Sequence, residues 1–291
     1  MNANEQIHQL AARQKSIYCL QPADLKSHYN HERSVVDSYR GRQLLELLQN
    51  ADDAFDPTKR PTKLLFRLFS DCLVAANSGR PFAYEGIESL VVTDASPKQL
   101  HRTRCIGNKG LGFRSVLSWS LSPLVHSGVW SVAFSAEAAR RNVEVLAKAN
   151  ENIGAVVQQW RAVRADLPAP IMRFPFVPLP DDVHLKLARE IMAEGFDTVI
   201  VLPFQEGEAG QRVRADSQIA PPWSSMSCYA RSNRGLLLWR NHRSWHICIN
   251  SEVAVLADGF RGSQGRSSPV LARRQGRILC LRPCSPQNSP E

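Results

Sequence analysis

The sequence predicts an α/β (α+β) two-layer sandwich, with a mixed, mostly antiparallel sheet under helices that include residues 40–55. Strands and helices follow one another in irregular order, unlike the strict alternation of a parallel doubly wound sheet. Two apolar runs, near 63–69 and 72–76, are separated only by Ser70 and Asp71. This spacing is typical of an antiparallel hairpin.

The first half of the chain supplies most of the predicted helical layer. Residues 32–55 have helical apolar periodicity, and residues 84–91 predict a second, shorter helix. Residues 94–112 are polar, basic and glycine-rich, which predicts a loop. A further helix over 113–119 is expected to begin directly after Gly112.

The second half of the body adds two strands and a helical insertion at about 136–195. The predicted elements are a strand at 129–135, two helices within 136–165 with a break near Gly154, a helix at 181–195 and a buried strand at 196–204.

The net charge of +9 on the 291 residues is unevenly distributed. Residues 211–291 contain 12 Arg, no Lys and 4 acidic residues, whereas residues 1–210 are close to neutral. We therefore predict a domain at 1–210 and a basic Ser/Arg/Pro-rich tail at 211–291, with one or two strands within 244–256. The tail is expected to be either a poorly ordered extension or the abrupt end of a longer protein. Its positive charge would allow it to bind nucleic acid.

Composition predicts a cytoplasmic protein with no membrane partner. No apolar run approaches the roughly 20 residues that a membrane helix needs, and the first residues have no apolar signal core. The seven cysteines have no paired spacing, which favours reduced thiols over a disulfide framework.

The stretch GRQLLELLQNADDAF (41–55) has two distinct faces at about 100° per residue. The polar face consists of Arg42, Gln43, Glu46, Gln49, Asn50 and Asp53. Glu46 and Asn50 are neighbours at i and i+4. In such a pair the carboxylate could hold a water molecule while the amide oxygen binds a hard cation such as Mg²⁺. The alternative is the solvent-exposed face of a surface helix.

The glycine-rich stretch IGNKGLGFRSV (106–116) is the second candidate. Its glycines let the backbone approach a ligand closely, and the helix that follows offers free N–H groups to phosphate. Lys98 and Arg114 are among the basic side chains nearby. The order of the glycines matches neither a P-loop nor a dinucleotide fingerprint. The alternative is a flexible turn.

The third candidate is ANSGRPF (76–82), where a strand end and Gly79 would present Asn77 to a ligand. The three motifs occur in order, and together they resemble the GHKL, or Bergerat-fold, ATPases. ELLQNADDA resembles the N-box, IGNKGLGF the lid box and FDTVIVLPF the late strand of that superfamily. The likeness covers roughly residues 30–205. Within the superfamily, the sequence most resembles the sacsin-type, heat-shock-protein-90-like N-terminal ATP-binding domains of bacterial proteins.

The resemblance implies a Bergerat fold and a role for each matching residue. Glu46 would be the general base, Asn50 the Mg²⁺ ligand, and Asp53 would lie on the nucleotide side of the helix. Thr198 would reach the adenine site. Asn77 stands where most of the superfamily has an aspartate that accepts from the adenine amino group, so here an uncharged amide oxygen would accept. The lid box would wrap the phosphates through Gly107, Asn108, Lys109, Gly110, Leu111, Gly112 and Phe113.

The implied ligands are ATP and Mg²⁺, and the implied activity is ATP hydrolysis that drives a conformational cycle of a larger system. Homodimerisation on ATP binding is a further expectation. The alternative is a nucleotide-binding regulatory or interaction module with little turnover. A histidine kinase is disfavoured, because a kinase has no need of Glu46 to activate water. The Lys-free tail does not resemble the following domain that contacts the γ-phosphate in related ATPases, which favours slow hydrolysis by this chain alone.

Overall fold

The computed structural model describes residues 1–39, 43–54, 56, 62–92 and 112–204, and the backbone of four later strands. The helices are α1 (Ala3–Leu20), α2 (Ala23–Ser38), α3 (Gln43–Asp53), α4 (Tyr84–Val91), α5 (Ala136–Ala149), α6 (Glu151–Arg161) and α7 (Val183–Ala193), with 3-10 helices at Gly112–Ser118 and Ile171–Arg173. The strands are β1 (Thr62–Leu68), β2 (Cys72–Asn77), β3 (Leu124–Ser127), β4 (Trp130–Ala133), β5 (Thr198–Pro203), β6 (Gly235–Asn241), β7 (Ser244–Asn250), β8 (Leu271–Arg274) and β9 (Arg277–Cys280).

The main sheet is open and has the order β4-β3-β5-β2-β1, with β7 and β6 beyond β1. The predicted hairpin is confirmed, because Leu64 pairs with Asn77 and Leu68 with Leu73. The described pairs of this sheet are all antiparallel, so the parallel pair that a mixed sheet would contain is not among them. Strands β8 and β9 form a separate hairpin.

One face of the sheet carries the main helical layer, as predicted. Strand residues such as Ala75, Val125 and Ile200 share one buried cluster with Leu47 and Ala51 of α3. Helices α1 and α4 and the 112–118 helix join the same core. This layer places α3 beside the sheet.

The opposite face of the sheet is covered by α7. Val199 and Val201 of β5 pack against Leu185, Ala188 and Ile191. Since successive side chains of a strand point to opposite faces, an apolar run such as TVIVLP needs cover on both sides. Helix α7 therefore adds a third layer here, which the two-layer prediction did not include.

Several element boundaries differ from the sequence prediction. The helix expected at 32–55 divides, with α2 ending at Ser38 and α3 beginning at Gln43. The break in 136–165 lies at Asn150 and not at Gly154, because the Asn150 side chain accepts from the backbone N–H of Ile153 at 3.2 Å and starts a new helix. Helix α1 and strands β3, β6, β8 and β9 were not predicted. Most of the 94–112 loop lies outside the described residues.

No helix in the described part of the chain is long and apolar enough to cross a membrane. The division at 210/211 stays a prediction.

A half-buried histidine links α1 to α2 and makes the stability depend on pH. The His28 Nδ1 atom lies 3.1 Å from the Tyr18 hydroxyl. Burial, reinforced by the positive charge of Arg173, lowers the pKa of His28 from its ordinary 6.5 to about 4. Between these values the unfolded chain binds a proton that the native chain does not, so the free energy of unfolding falls as the pH falls.

We expect acidification from about pH 7.5 to about pH 5 to destabilise the wild type more than His28→Gln. The expected difference is about 1 kcal/mol, which allows for the screening of a half-exposed group. Urea denaturation of both proteins at the two pH values measures it. Equal losses in the two proteins would contradict the assignment to His28.

Candidate functional site

A cavity of about 390 Å³ lies between α3 and the sheet. This volume is within the range of small-molecule sites. Helix α3 contributes Leu47, Asn50, Ala51, Asp53 and the following Ala54, and the sheet contributes Leu64, Ala75, Ala76, Asn77, Thr198 and Ile200. The remaining wall comes from Phe113 and from Arg80, Pro81, Phe82, Ala83, Glu85, Gly86, Ser89 and Leu90.

Three polar residues lie abreast on adjacent strands at one end of the sheet. Asn77 of β2 pairs in register with Thr198 of β5, which in turn pairs with Ser127 of β3. The Ser127 and Thr198 hydroxyl oxygens are 2.6 Å apart, and the Ser127 oxygen also accepts from the Phe82 N–H at 2.9 Å. All three side chains are buried. Asn77 and Thr198 line the cavity and form a polar floor, and Ser127 is hydrogen-bonded to Thr198.

The Asn77 amide nitrogen is buried without a hydrogen-bond partner among the described residues. The residue is 8% exposed. Its backbone carbonyl accepts from the Asp197 N–H at 3.0 Å, which fixes the position of the residue. Leaving a buried donor unpaired costs about 1–3 kcal/mol. A ligand with an acceptor would satisfy this group.

The turn after β2 depends on Gly79. Its N–H donates to the Asp197 carboxylate at 2.8 Å, and its φ of 151° is one that other residues rarely adopt. A Cβ at this position would lie 2.3 Å from the Ala54 carbonyl oxygen. The same oxygen accepts from the Arg80 N–H at 2.7 Å, so the end of α3 is held directly against the turn.

Two residues of the polar face of α3, Gln43 and Glu46, are packed against the 112–118 helix. Glu46 is 6% exposed, and a Cβ at Gly112 would lie 1.9 Å from its Oε2 atom. Gln43 is also buried, and its Nε2 donates to the Ser118 hydroxyl at 2.6 Å. The solvent-face alternative is therefore wrong for Glu46 and Gln43.

The structure brings part of the predicted set together. Asn50, Asp53, Asn77, Phe113 and Thr198 line the cavity. Gly79 and Gly112 each allow the close approach just described, without lining the cavity themselves.

Two charged side chains from the motifs contact other parts of the structure. Glu46 is not among the described residues that line the cavity, since it turns toward Gly112. Arg114 is 2% exposed and donates to the Leu90 and Val91 carbonyls at 3.0 and 3.1 Å, so it ties α4 to the 112–118 helix. The expected positions of Lys98, Gly107, Asn108, Lys109, Gly110 and Leu111 lie outside the described residues.

Sequence reasoning missed Ser127, Asp197 and Phe82. Ser127 lies on the short strand β3, which was not predicted, and its role arises from pairing with Thr198. The signal for Asp197 was its place within the predicted strand 196–204, directly before Thr198.

No protein-family model matches the chain, and no curated protein is detectably similar to it.

Proposed function

We propose that the chain is a Mg²⁺-dependent ATP-binding module of the GHKL type, with a Bergerat-like fold, that hydrolyses ATP to drive a conformational cycle of a larger system. One observation carries the proposal. Three motifs far apart in sequence contribute Asn50, Asn77 and Thr198 to a single cavity. A chance set of a surface helix, a turn and a buried strand would have no reason to converge in this way.

The lining of the cavity suits a planar base. Its walls are apolar and include Leu47, Ile200 and Phe113. Asn77 and Thr198 offer polar atoms to the edge of such a ring. A mainly apolar pocket with a few convergent polar groups is the usual form of a small-molecule site.

Asn50 would hold Mg²⁺ through its amide oxygen. No cluster of three or more His, Cys, Asp or Glu in the described part of the chain is arranged to bind a metal. Mg²⁺ in nucleotide enzymes takes few protein ligands and completes its shell with phosphates and water. Bound there, the ion would neutralise phosphate charge. The lid box 107–113 would contact the phosphates, as the motif resemblance implies, and Lys98 would add positive charge beside them.

Glu46 would act as the general base of hydrolysis. It lies one turn before Asn50 on α3 and is buried against Gly112. A water oxygen would attack the γ-phosphorus as the bond to the β–γ bridging oxygen breaks, and Glu46 would accept the proton of that water. ADP and inorganic phosphate leave, and the carboxylate returns its proton to solvent.

A binding module with little turnover is the second candidate. It is favoured by the place of Glu46, whose carboxylate packs beside Gly112 and not in the described cavity wall. ATP-dependent homodimerisation and binding of nucleic acid by the basic tail stay predictions of the sequence.

The proposal is tested by calorimetric titration with ATP, in Mg²⁺ and in EDTA. We expect the wild type to bind Mg·ATP and Asn50→Ala to bind it at least about tenfold more weakly, because one polar ligand of the ion is lost. In EDTA the two proteins should bind ATP equally. Asn142→Ala is the matched control, since its side chain donates to the Ala138 carbonyl within α5. A folded wild type that binds no adenine nucleotide at millimolar concentration would overturn the proposal.

A further inference from the structure

We infer that the cavity accepts 6-oxo purine nucleotides as well as 6-amino ones, and that Asn77 is the residue that permits both. The inference rests on the proposed function, because it names the bases that the same site would take. It starts from the buried Asn77 Nδ2, which lacks a partner among the described residues and belongs to a residue in the cavity wall.

A carboxamide differs from a carboxylate in what it can pair with. An ionised carboxylate only accepts hydrogen bonds, whereas a carboxamide both donates and accepts. The backbone of Asn77 is held by the Asp197 N–H and by pairing with Thr198, so only its amide is free to turn over. With Nδ2 toward the ligand it would donate to a 6-oxo group. Turned over, it would accept from a 6-amino group.

The neighbouring hydroxyls are equally adaptable. Ser127 has one proton, and its oxygen lies 2.6 Å from the Thr198 hydroxyl and 3.4 Å from the Asp197 carbonyl. When Ser127 donates to Thr198, the Thr198 proton is available to a ligand. When Ser127 donates to Asp197 instead, Thr198 donates to Ser127 and offers only lone pairs to the cavity. The two hydroxyls can therefore form a hydrogen bond with either an acceptor or a donor on the ligand.

Among the described residues that line the cavity, no ionised group on the sheet favours a donor over an acceptor on the ligand. The ionisable lining residues described are Asp53, Arg80 and Glu85, which belong to α3, the turn after β2 and α4. The floor consists of neutral groups that can reorient. A site of this kind discriminates weakly between a carbonyl and an amine at the same ring position.

The test compares ATP with ITP, whose bases differ in the 6-substituent and the proton on the adjacent ring nitrogen. We expect the dissociation constants of the wild type for the two nucleotides to lie within about tenfold of each other. Asn77→Asp should weaken the binding of ITP relative to that of ATP by about 10- to 100-fold, because the carboxylate would face the 6-oxo oxygen with no proton between them. Asn150→Asp is the matched control, since aspartate also caps α6 and the charge change is the same.

Each outcome separates this inference from the proposed function. Wild type that binds ATP but binds ITP over a hundredfold more weakly would overturn the inference and leave the proposed function standing, and this ratio needs no variant to fold. An unchanged ATP-to-ITP ratio in folded Asn77→Asp would also overturn it. Folded wild type that binds neither nucleotide would overturn both claims.

Discussion

Glu46→Ala is expected to lower the rate of ATP hydrolysis by about 10²- to 10⁴-fold, the usual contribution of a general base. The dissociation constant for Mg·ATP should stay within a few-fold of the wild-type value. The physical reason is that Glu46 is not among the described residues that line the cavity, so its loss removes no contact with the nucleotide there. Phosphate-release assays and calorimetry on the same preparations measure the two quantities.

Glu190→Ala is a matched control for this experiment. It makes the same chemical change on the exposed side of α7, away from the described cavity wall, and should leave both quantities unchanged. Turnover by Glu46→Ala at the wild-type rate would show that any hydrolysis proceeds by another mechanism. Binding of ATP without turnover by the wild type would favour the binding module.

The parts of the fold that could be predicted are those specified by local patterns. The hairpin of β1 and β2 follows from two apolar runs with only Ser70 and Asp71 between them, and β5 from the uninterrupted run TVIVLP. Strand β3 has four residues and gains its order from pairing with β5, more than 70 residues later. No local pattern contains that information.

The polar face of α3 illustrates the same limit. A helical wheel separates Gln43, Glu46 and Asn50 from the leucines, but it does not say what covers them. The cover for Gln43 and Glu46 is the 112–118 helix, some 70 residues further along the chain. Burial there depends on tertiary packing, which overrides the expectation that a polar face meets solvent.

The candidate site was predictable where each motif carries its own side chain to the cavity. Asn50, Asn77 and Thr198 were singled out from their motifs, and they line one cavity. Ser127 and Asp197 were not, because their roles arise from strand register and from the turn at Gly79. Residues that orient a site are specified by contacts far apart in sequence, while the residues they orient are more often part of a motif.

Gly112 leaves the space that the Glu46 carboxylate occupies. A Cβ at this position would lie 1.9 Å from Glu46 Oε2 and 2.7 Å from its Cδ. The backbone at Gly112 is in a 3-10 helix, a conformation that alanine also adopts. The atoms in the way belong to the end of a flexible side chain, so alanine would displace Glu46 while leaving the fold in place.

Gly112→Ala is therefore expected to lower turnover by about 10²-fold, the effect of moving a catalytic group by roughly 1 Å. The melting temperature should fall only slightly. The decisive control is the double variant Gly112→Ala/Glu46→Ala, which should be no slower than Glu46→Ala alone, because both changes remove the same carboxylate from its place. Turnover losses that multiply in the double variant would show that Gly112 acts on something other than Glu46, and the positioning role argued for this glycine would then be wrong.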